Sequence, residues 1–329
     1  MLDPLVEVLP QVYRLGFVLG GRPVYQYLLV GDRRALLVDT GITDTPREVI
    51  LPALDRLGVD PTKLQFAVIT HCDLDHQGGA HQLKTLLPHV LLSCGDLDRP
   101  LVEDPEALLQ QRYDAYRAEH DLGYDPPTLD WIRRVAGRSQ PMDLTWTTGE
   151  TVRLGDDWVV RLLQMPGHSL GHLVVHDLKH HAAYTGDAVH HLGYRTVEGQ
   201  MAMPPTYLEV ESYLHTVRHL ASLGLHALLG AHWPVAQGAG VQAFLDETRR
   251  YVELADRGVR GVIQSAAQGV TLREIVATLN QQLGDWPEAA GIDLVFSLAG
   301  HVRHLERLGL VAADRSTRPV RFRWVGPTG

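Results

Sequence analysis

The stretch THCDLDHQGG, Thr70 to Gly79, sets two histidines five residues apart with aspartates between them at 73 and 75. The chain has 18 histidines in 329 residues, so about one such pair arises by chance, and requiring aspartate at both internal positions lowers that to below about one per cent. Two imidazoles and two carboxylates within ten residues are donor types that hold divalent metal ions. In an extended segment the side chains of His71, Asp73 and Asp75 share a side and can converge, while His76 points elsewhere and can serve a second ion. Cys72 then reads as a buried spacer beside the ligands.

Working outward, the segment before the motif alternates apolar runs with turn residues: VYQYLLV, GDRR, ALLVDTG, helical spacing from Pro46 to Leu57, then LQFAVITH. This reads as strand, turn, strand, loop, helix, strand, with the glycine of DTG closing a tight turn. The motif therefore begins where a buried strand ends, and a rigid strand is what holds a ligand-bearing loop in place. Downstream, three more strand ends carry a donor: His168 in MPGHSLGH, Asp187 in YTGDAV and His232 in LLGAHW. Each alone reads as a cap or a satisfied polar group, but together and in that order they reinforce the motif.

Residues from about 97 to 138 have helical spacing and read as an insertion or lid. After about residue 240 come a long helix, then TLREIVATLNQQL with a capping-box arrangement of Thr271 and Glu274, a second amphipathic helix, and the hairpin pattern VAADRSTRPVRFRW. Helix, helix, basic hairpin is a winged-helix outline. The expected division is a catalytic domain over 1–240 and a linker helix with a winged-helix-like domain over 241–329.

Hydrophobic residues at 45% and charged residues at 21% are ordinary for a globular protein. No run approaches the roughly 18 apolar residues of a spanning helix, and the N-terminus lacks a basic region before an apolar block. Two cysteines exclude a disulfide framework. These features place the expected protein in the cytoplasm, with no membrane partner. The net charge of −9 disfavours general nucleic-acid coating, although residues 301–329 carry six arginines against Glu306 and Asp314, which makes that tail +4 and the remainder −13.

On His71, Asp73, Asp75, His76, His168, Asp187 and His232, with LLVDTG behind them, the chain resembles the metallo-β-lactamase superfamily, whose hallmark is H-x-H-x-D-H followed by a lone His, a bridging Asp and a final His. The resemblance covers about residues 5 to 240. It implies an α/β fold, a four-layer αββα sandwich with the site along one edge, followed here by the small helical winged-helix-like domain, similar to that of glyoxalase II relatives and some endoribonucleases. It implies that His71, Asp73 and His168 hold a first ion, that Asp75, His76 and His232 hold a second, and that Asp187 bridges. Two positions depart from the pattern: Asp73 stands where the second histidine belongs, and Ala231 where a glycine usually precedes the last histidine.

The expected function is that of a hydrolase in which two divalent ions activate a hydroxide, with Asp75 orienting it and carrying a proton, on a small-molecule ester, thioester or lactone. Imidazole donors make zinc the first expectation; the extra carboxylate of Asp73 makes iron or manganese the alternatives. A nuclease or phosphodiesterase acting on RNA through the basic tail is the second reading, and a diiron redox enzyme, similar to the flavodiiron proteins, the last. A homo-oligomer is compatible with the sequence. His190, His191 and Tyr194 are candidates for substrate contact, and His172 for a supporting role.

Overall fold

The computed structural model describes residues 3–327. A seven-stranded sheet runs in sequence order from Leu5–Leu9 to Leu144–Trp146. Its first four strands pair antiparallel, and the last three are added in parallel beside Ala35–Val38. The change of direction follows from the connections: tight turns join the early strands, whereas Leu51–Arg56 and Ala80–Leu86 are helical crossovers of the kind parallel pairing requires. A six-stranded sheet takes Thr151–Arg153, Val159–Gln164, Leu173–Asp177, Ala182–Gly186, Ala227–Gly230 and Ala236–Gln237, adjacent in that order.

Three buried clusters define four layers. Tyr27, Leu36 and Val68 of the first sheet pack on Leu162, Val175 and Tyr184 of the second. Leu28, Leu37 and Ala67, on the other face of the first sheet, meet Leu54 and Leu83 of its covering helices. Val174, Ala183 and Leu228 of the second sheet meet Val217 and Leu220 from the helix Val210–Ser222. Because both faces of each sheet are covered, the central strands read as continuous apolar runs in place of an alternating pattern.

The C-terminal region is mainly helical: Ala239–Ser265, Leu272–Leu283 and Leu294–Arg307, with a three-stranded sheet in which Arg321–Trp324 lies between Val270–Thr271 and Val311–Asp314. The Thr271–Glu274 capping box forms. This region shares one continuous apolar core with the outer face of the second sheet, since Phe244, Val252, Leu279 and Leu298 belong to the same cluster as Val174 and Leu228. Among the described residues, no helix is long and apolar enough to cross a membrane.

Candidate metal centre

The strand Leu64–Val68 ends two residues before the motif, and the chain does not continue extended through it. At Asp73 it turns into the short helix Leu74–Gln77. The alternation expected for 71, 73 and 75 therefore breaks: Asp75 is carried round to His76 and His232, while His71 and Asp73 face the other way. The two glycines that end the motif let this turn sit tightly against its neighbours. A Cβ on Gly79 would lie 2.2 Å from the Thr40 carbonyl oxygen, and one on Gly78 would lie 2.5 Å from those of Leu74 and Val135.

Asp75, His76 and His232 bring their donor atoms into one cluster, with Asp187 against it. His232 Nε2 lies 3.5 Å from Asp75 Oδ2 and 3.4 Å from Asp187 Oδ1. His76 Nε2 lies 3.8 Å from a carboxylate oxygen of each. Ligands about 2.1 Å from a tetrahedral ion stand about 3.4 Å apart, so these atoms have the spacing of a coordination shell and are too distant for direct hydrogen bonds.

The surroundings set which nitrogen each ring presents. His76 Nδ1 donates to Asp39 Oδ2 at 2.8 Å, and His232 Nδ1 donates to the Pro23 carbonyl at 2.8 Å. His71 Nδ1 lies 3.0 Å from Thr70 Oγ1, which in turn donates to Asp39 at 3.0 Å. Each ring thereby turns its Nε2 inward, the usual support of metal-binding histidines. Tyr194 Oη donates to Asp187 Oδ2 at 2.8 Å, which leaves Oδ1 facing the cluster. His71 Nε2, His76 Nε2 and Asp187 Oδ1 are buried without a hydrogen-bond partner. Burial works to lower the His76 imidazole, but Asp39, Asp75 and Asp187 outweigh it and raise it to about 10. The cluster is built for positive charge, and the residues present fit a divalent ion.

The other half of the motif differs. His71, His168 and Asp187 each bring a donor atom within 4.8 Å of the others. Asp73 is held by Arg112: Nε donates to Oδ1, and Nη2 donates to Oδ2 at 2.7 Å. The same Nη2 lies 2.9 Å from His168 Nε2, and Nη1 donates to the His168 carbonyl at 3.2 Å. Tyr113 Oη donates to Asp73 Oδ1 at 3.1 Å. Burial would raise the Asp73 carboxyl, but the Arg112 guanidinium holds it well below the usual carboxylate range.

The family model described as Metallo-beta-lactamase superfamily matches residues 19–232, well over half of the chain. The chain belongs to that superfamily. It is similar to the acyl-coenzyme A thioesterase MBLAC2 of Gallus gallus, 28% identical over 207 residues that cover 60% of this chain and 66% of that protein. It is also similar to a hydroxyacylglutathione hydrolase of Bdellovibrio bacteriovorus, 23% identical over 51% of this chain and 50% of that protein. The chain thus spans about two thirds of the first relative's length and half of the second's. A metallo-beta-lactamase family protein from Thermus thermophilus aligns at a TM-score of 0.74 and 21% identity over 97% of this chain and all of its own. A beta-lactamase domain protein from Burkholderia ambifaria gives 0.75 and 17%, over 98% and 93%. At such identities these two structures show a shared fold alone, and that fold includes the C-terminal region.

Beyond the superfamily motif, several side chains complete the site. Arg112 and Tyr113 lie in the insertion, on a π-helical turn, Leu109–Tyr113, closed by Asp114 N on the Leu109 carbonyl at 2.8 Å. Such turns shift side chains out of α-helical phase and recur at functional sites. The insertion thus forms a wall of the pocket over the metal centre. Arg22, Tyr124 and Trp131 also line it, together with Asp293 and Phe296 from the C-terminal region. Arg112 escaped the sequence reading because an arginine in a helical pattern ordinarily lies on the solvated face. The available signal was its place four residues after Leu108, on the stripe that the helix buries.

Of the loop candidates, Tyr194 orients Asp187, and His190 is buried with Nδ1 2.7 Å from Tyr213 Oη. The His191 ring lies instead against Phe244, and its backbone N–H donates to Thr248 Oγ1 at 2.9 Å. His172 stacks on His71 with ring centroids 4.8 Å apart, and its Nε2 accepts from Asp187 N at 3.3 Å. Cys72 is fully buried, its thiol pushed up by burial. Asp98, also buried, accepts from Gly171 N at 2.7 Å and from Ser169, and so fixes the loop that carries His168. Ala231 has no positive φ, so the departure from glycine there brings no strain.

Proposed function

We propose that the protein is a metal-dependent hydrolase of a small-molecule thioester or ester, with lactones in the same chemical class. The observation that carries this reading is the set Asp75, His76, His232 and Asp187, whose donor atoms stand at coordination spacing with imidazole tautomers fixed from behind. A divalent ion bound there supplies a Lewis acid for a carbonyl oxygen and lowers the pKa of a water to near 7. Two imidazoles in the set favour zinc, with iron or manganese as the alternatives. The sequence expectation of two ions would place the first on His71, Asp73 and His168.

The protein's own groups divide the remaining work. Asp75 lines the pocket beside the donor cluster, where it can orient the attacking water and pass its proton to the departing thiolate or alkoxide. Tyr194 and Asp39 hold Asp187 and His76 in position. Leu19, Tyr124, Trp131 and Phe296 supply an apolar wall for an acyl group. The thioesterase and hydroxyacylglutathione hydrolase names of the two curated relatives are consistent with thioester substrates.

A nucleic-acid substrate would need the basic tail to be free for phosphates. Two of its arginines face the catalytic region's own Glu209, Arg307 at 2.8 Å and Arg303 at 3.7 Å, and Arg315 pairs with Glu306 at 2.6 Å. That arrangement favours the small-molecule reading. The order of helices and strands after residue 240 supports the winged-helix proposal for this region, as a covering element beside the pocket.

The test is a panel of an acyl-coenzyme A, an acylglutathione, a phenyl ester, a lactone and a phosphodiester, with metal-depleted and metal-reconstituted protein. Metal-dependent cleavage of the thioesters is the expected result. Cleavage of the phosphodiester alone would replace this reading with the nuclease one.

A further inference from the structure

We propose that the Arg112 guanidinium replaces the first metal ion, so that the centre holds one divalent ion beside a fixed organic cation. The inference concerns the site on which the proposed function rests. It stands on the atoms that Arg112 occupies. On the superfamily's pattern a first ion takes His71, Asp73 and His168, yet Nη2 already lies 2.7 Å from Asp73 Oδ2 and 2.9 Å from His168 Nε2, the donor that the alternative set His71, His168 and Asp187 needs as well. His168 Nε2 and Asp73 Oδ2 are themselves 2.9 Å apart, so a dication held by both would stand within about 4 Å of the guanidinium, where two buried cations repel. The arginine is also anchored at two further points, Nε on Asp73 Oδ1 and Nη1 on the His168 carbonyl. Its side chain is 3% exposed.

The departure from the superfamily pattern supplies the reason. A histidine at position 73 would offer one neutral donor to a metal and nothing to bind a guanidinium in two places. An aspartate offers two oxygens in the fork geometry that arginine matches. Asp73 and Arg112 therefore read as one device: the carboxylate that departs from the motif recruits the cation that takes the ion's place. The π-helical turn at Leu109–Tyr113 is what aims that cation, and Tyr113 braces Asp73 from the same turn.

The device has a function beyond charge balance. Nη1 donates only to the His168 carbonyl, which leaves its second N–H free in a residue that lines the pocket. That donor suits the carbonyl oxygen of a thioester or ester as it gains negative charge, the role the first ion would otherwise share.

Metal stoichiometry tests the inference directly. Wild-type protein is loaded with excess zinc, freed of unbound metal and assayed by elemental analysis, and cobalt is titrated into metal-depleted protein while its visible absorption is followed. The expected result is one zinc per chain and a single cobalt break at one equivalent. The double variant Asp73→His with Arg112→Gln restores the superfamily's H-x-H-x-D-H and leaves no buried carboxylate unpaired. It is expected to rise to two equivalents. Two equivalents in the wild type would overturn the proposal, as would a single equivalent that Asp75→Ala retains and Asp73→Ala loses. Thioester cleavage by a wild type carrying two ions would leave the proposed function standing while this inference fell. One ion with no cleavage of any ester, thioester or lactone would do the reverse.

Discussion

Asp39 touches no substrate position, yet the site depends on it. It sits at a φ of +65°, tolerable for aspartate, and accepts from Thr70 N at 2.7 Å as well as from His76 and the Thr70 hydroxyl. Its replacement by alanine frees the His76 and His71 rings to rotate. The expected outcome is a 10- to 100-fold weaker zinc affinity, read by competition with a chromogenic chelator. Asp75→Asn, which keeps the shape and removes the proton acceptor, is expected to lower kcat/KM for a thioester by about 10²- to 10⁴-fold, measured at saturating metal. A third residue reports on pH. Burial pushes the Asp293 carboxyl up to about 6, only partly offset by the hydrogen bond from Tyr124. Between about pH 4 and 6 the folded chain keeps a proton that the unfolded chain has released, so stability falls as pH rises through that window and is level above it. Two pKa units correspond to about 3 kcal/mol. Asp293→Asn should remove that slope in urea titrations at pH 4.5, 5.5 and 7.5; an unchanged slope would refute the assignment.

The motif was legible as a set of donors because metal chemistry restricts residue type, and its position after FAVIT was legible because a buried strand leaves a continuous apolar run. The path between the donors was less so. An extended reading from His71 to Asp75 ignores that Asp73 ends the loop and Leu74 begins a helix, a turn made by the close approach of Gly78 and Gly79 to neighbouring carbonyls. Gly79→Ala must push the Thr40 carbonyl aside, with an expected cost of about 3 kcal/mol, measurable by chemical denaturation. Arg112 lay outside the reading for a related reason. An arginine in a helical pattern ordinarily lies on the solvated face, and the partner that buries this one lies 39 positions away in the chain.

At the scale of the molecule, the core does not stop at residue 240. Val241, Phe244, Val252 and Val259 of Ala239–Ser265 belong to the apolar cluster that covers the second sheet, and Tyr207 Oη lies 2.7 Å from His301 Nε2 across it. The break in sequence character near residue 240 is therefore not a break in packing, because a helix that is amphipathic along its length can face a sheet at one end and other helices at the other. A chain ending at residue 238 is expected to bind 8-anilinonaphthalene sulfonate strongly and to lose cooperative thermal unfolding, since it exposes the outer face of the second sheet. A soluble fragment with a sharp transition would contradict the shared core.

The claim on which the rest depends is that this centre cleaves a carbonyl ester or thioester with a bound divalent ion. Metal-depleted protein is given zinc in steps from zero to two equivalents, and release of coenzyme A from a short acyl-coenzyme A is followed with a thiol reagent. No release is expected without metal, and a linear rise that stops at one equivalent is expected as zinc is added. Equal release by the metal-depleted protein, or no release at any zinc level from this thioester or from the ester and lactone of the panel, would contradict it.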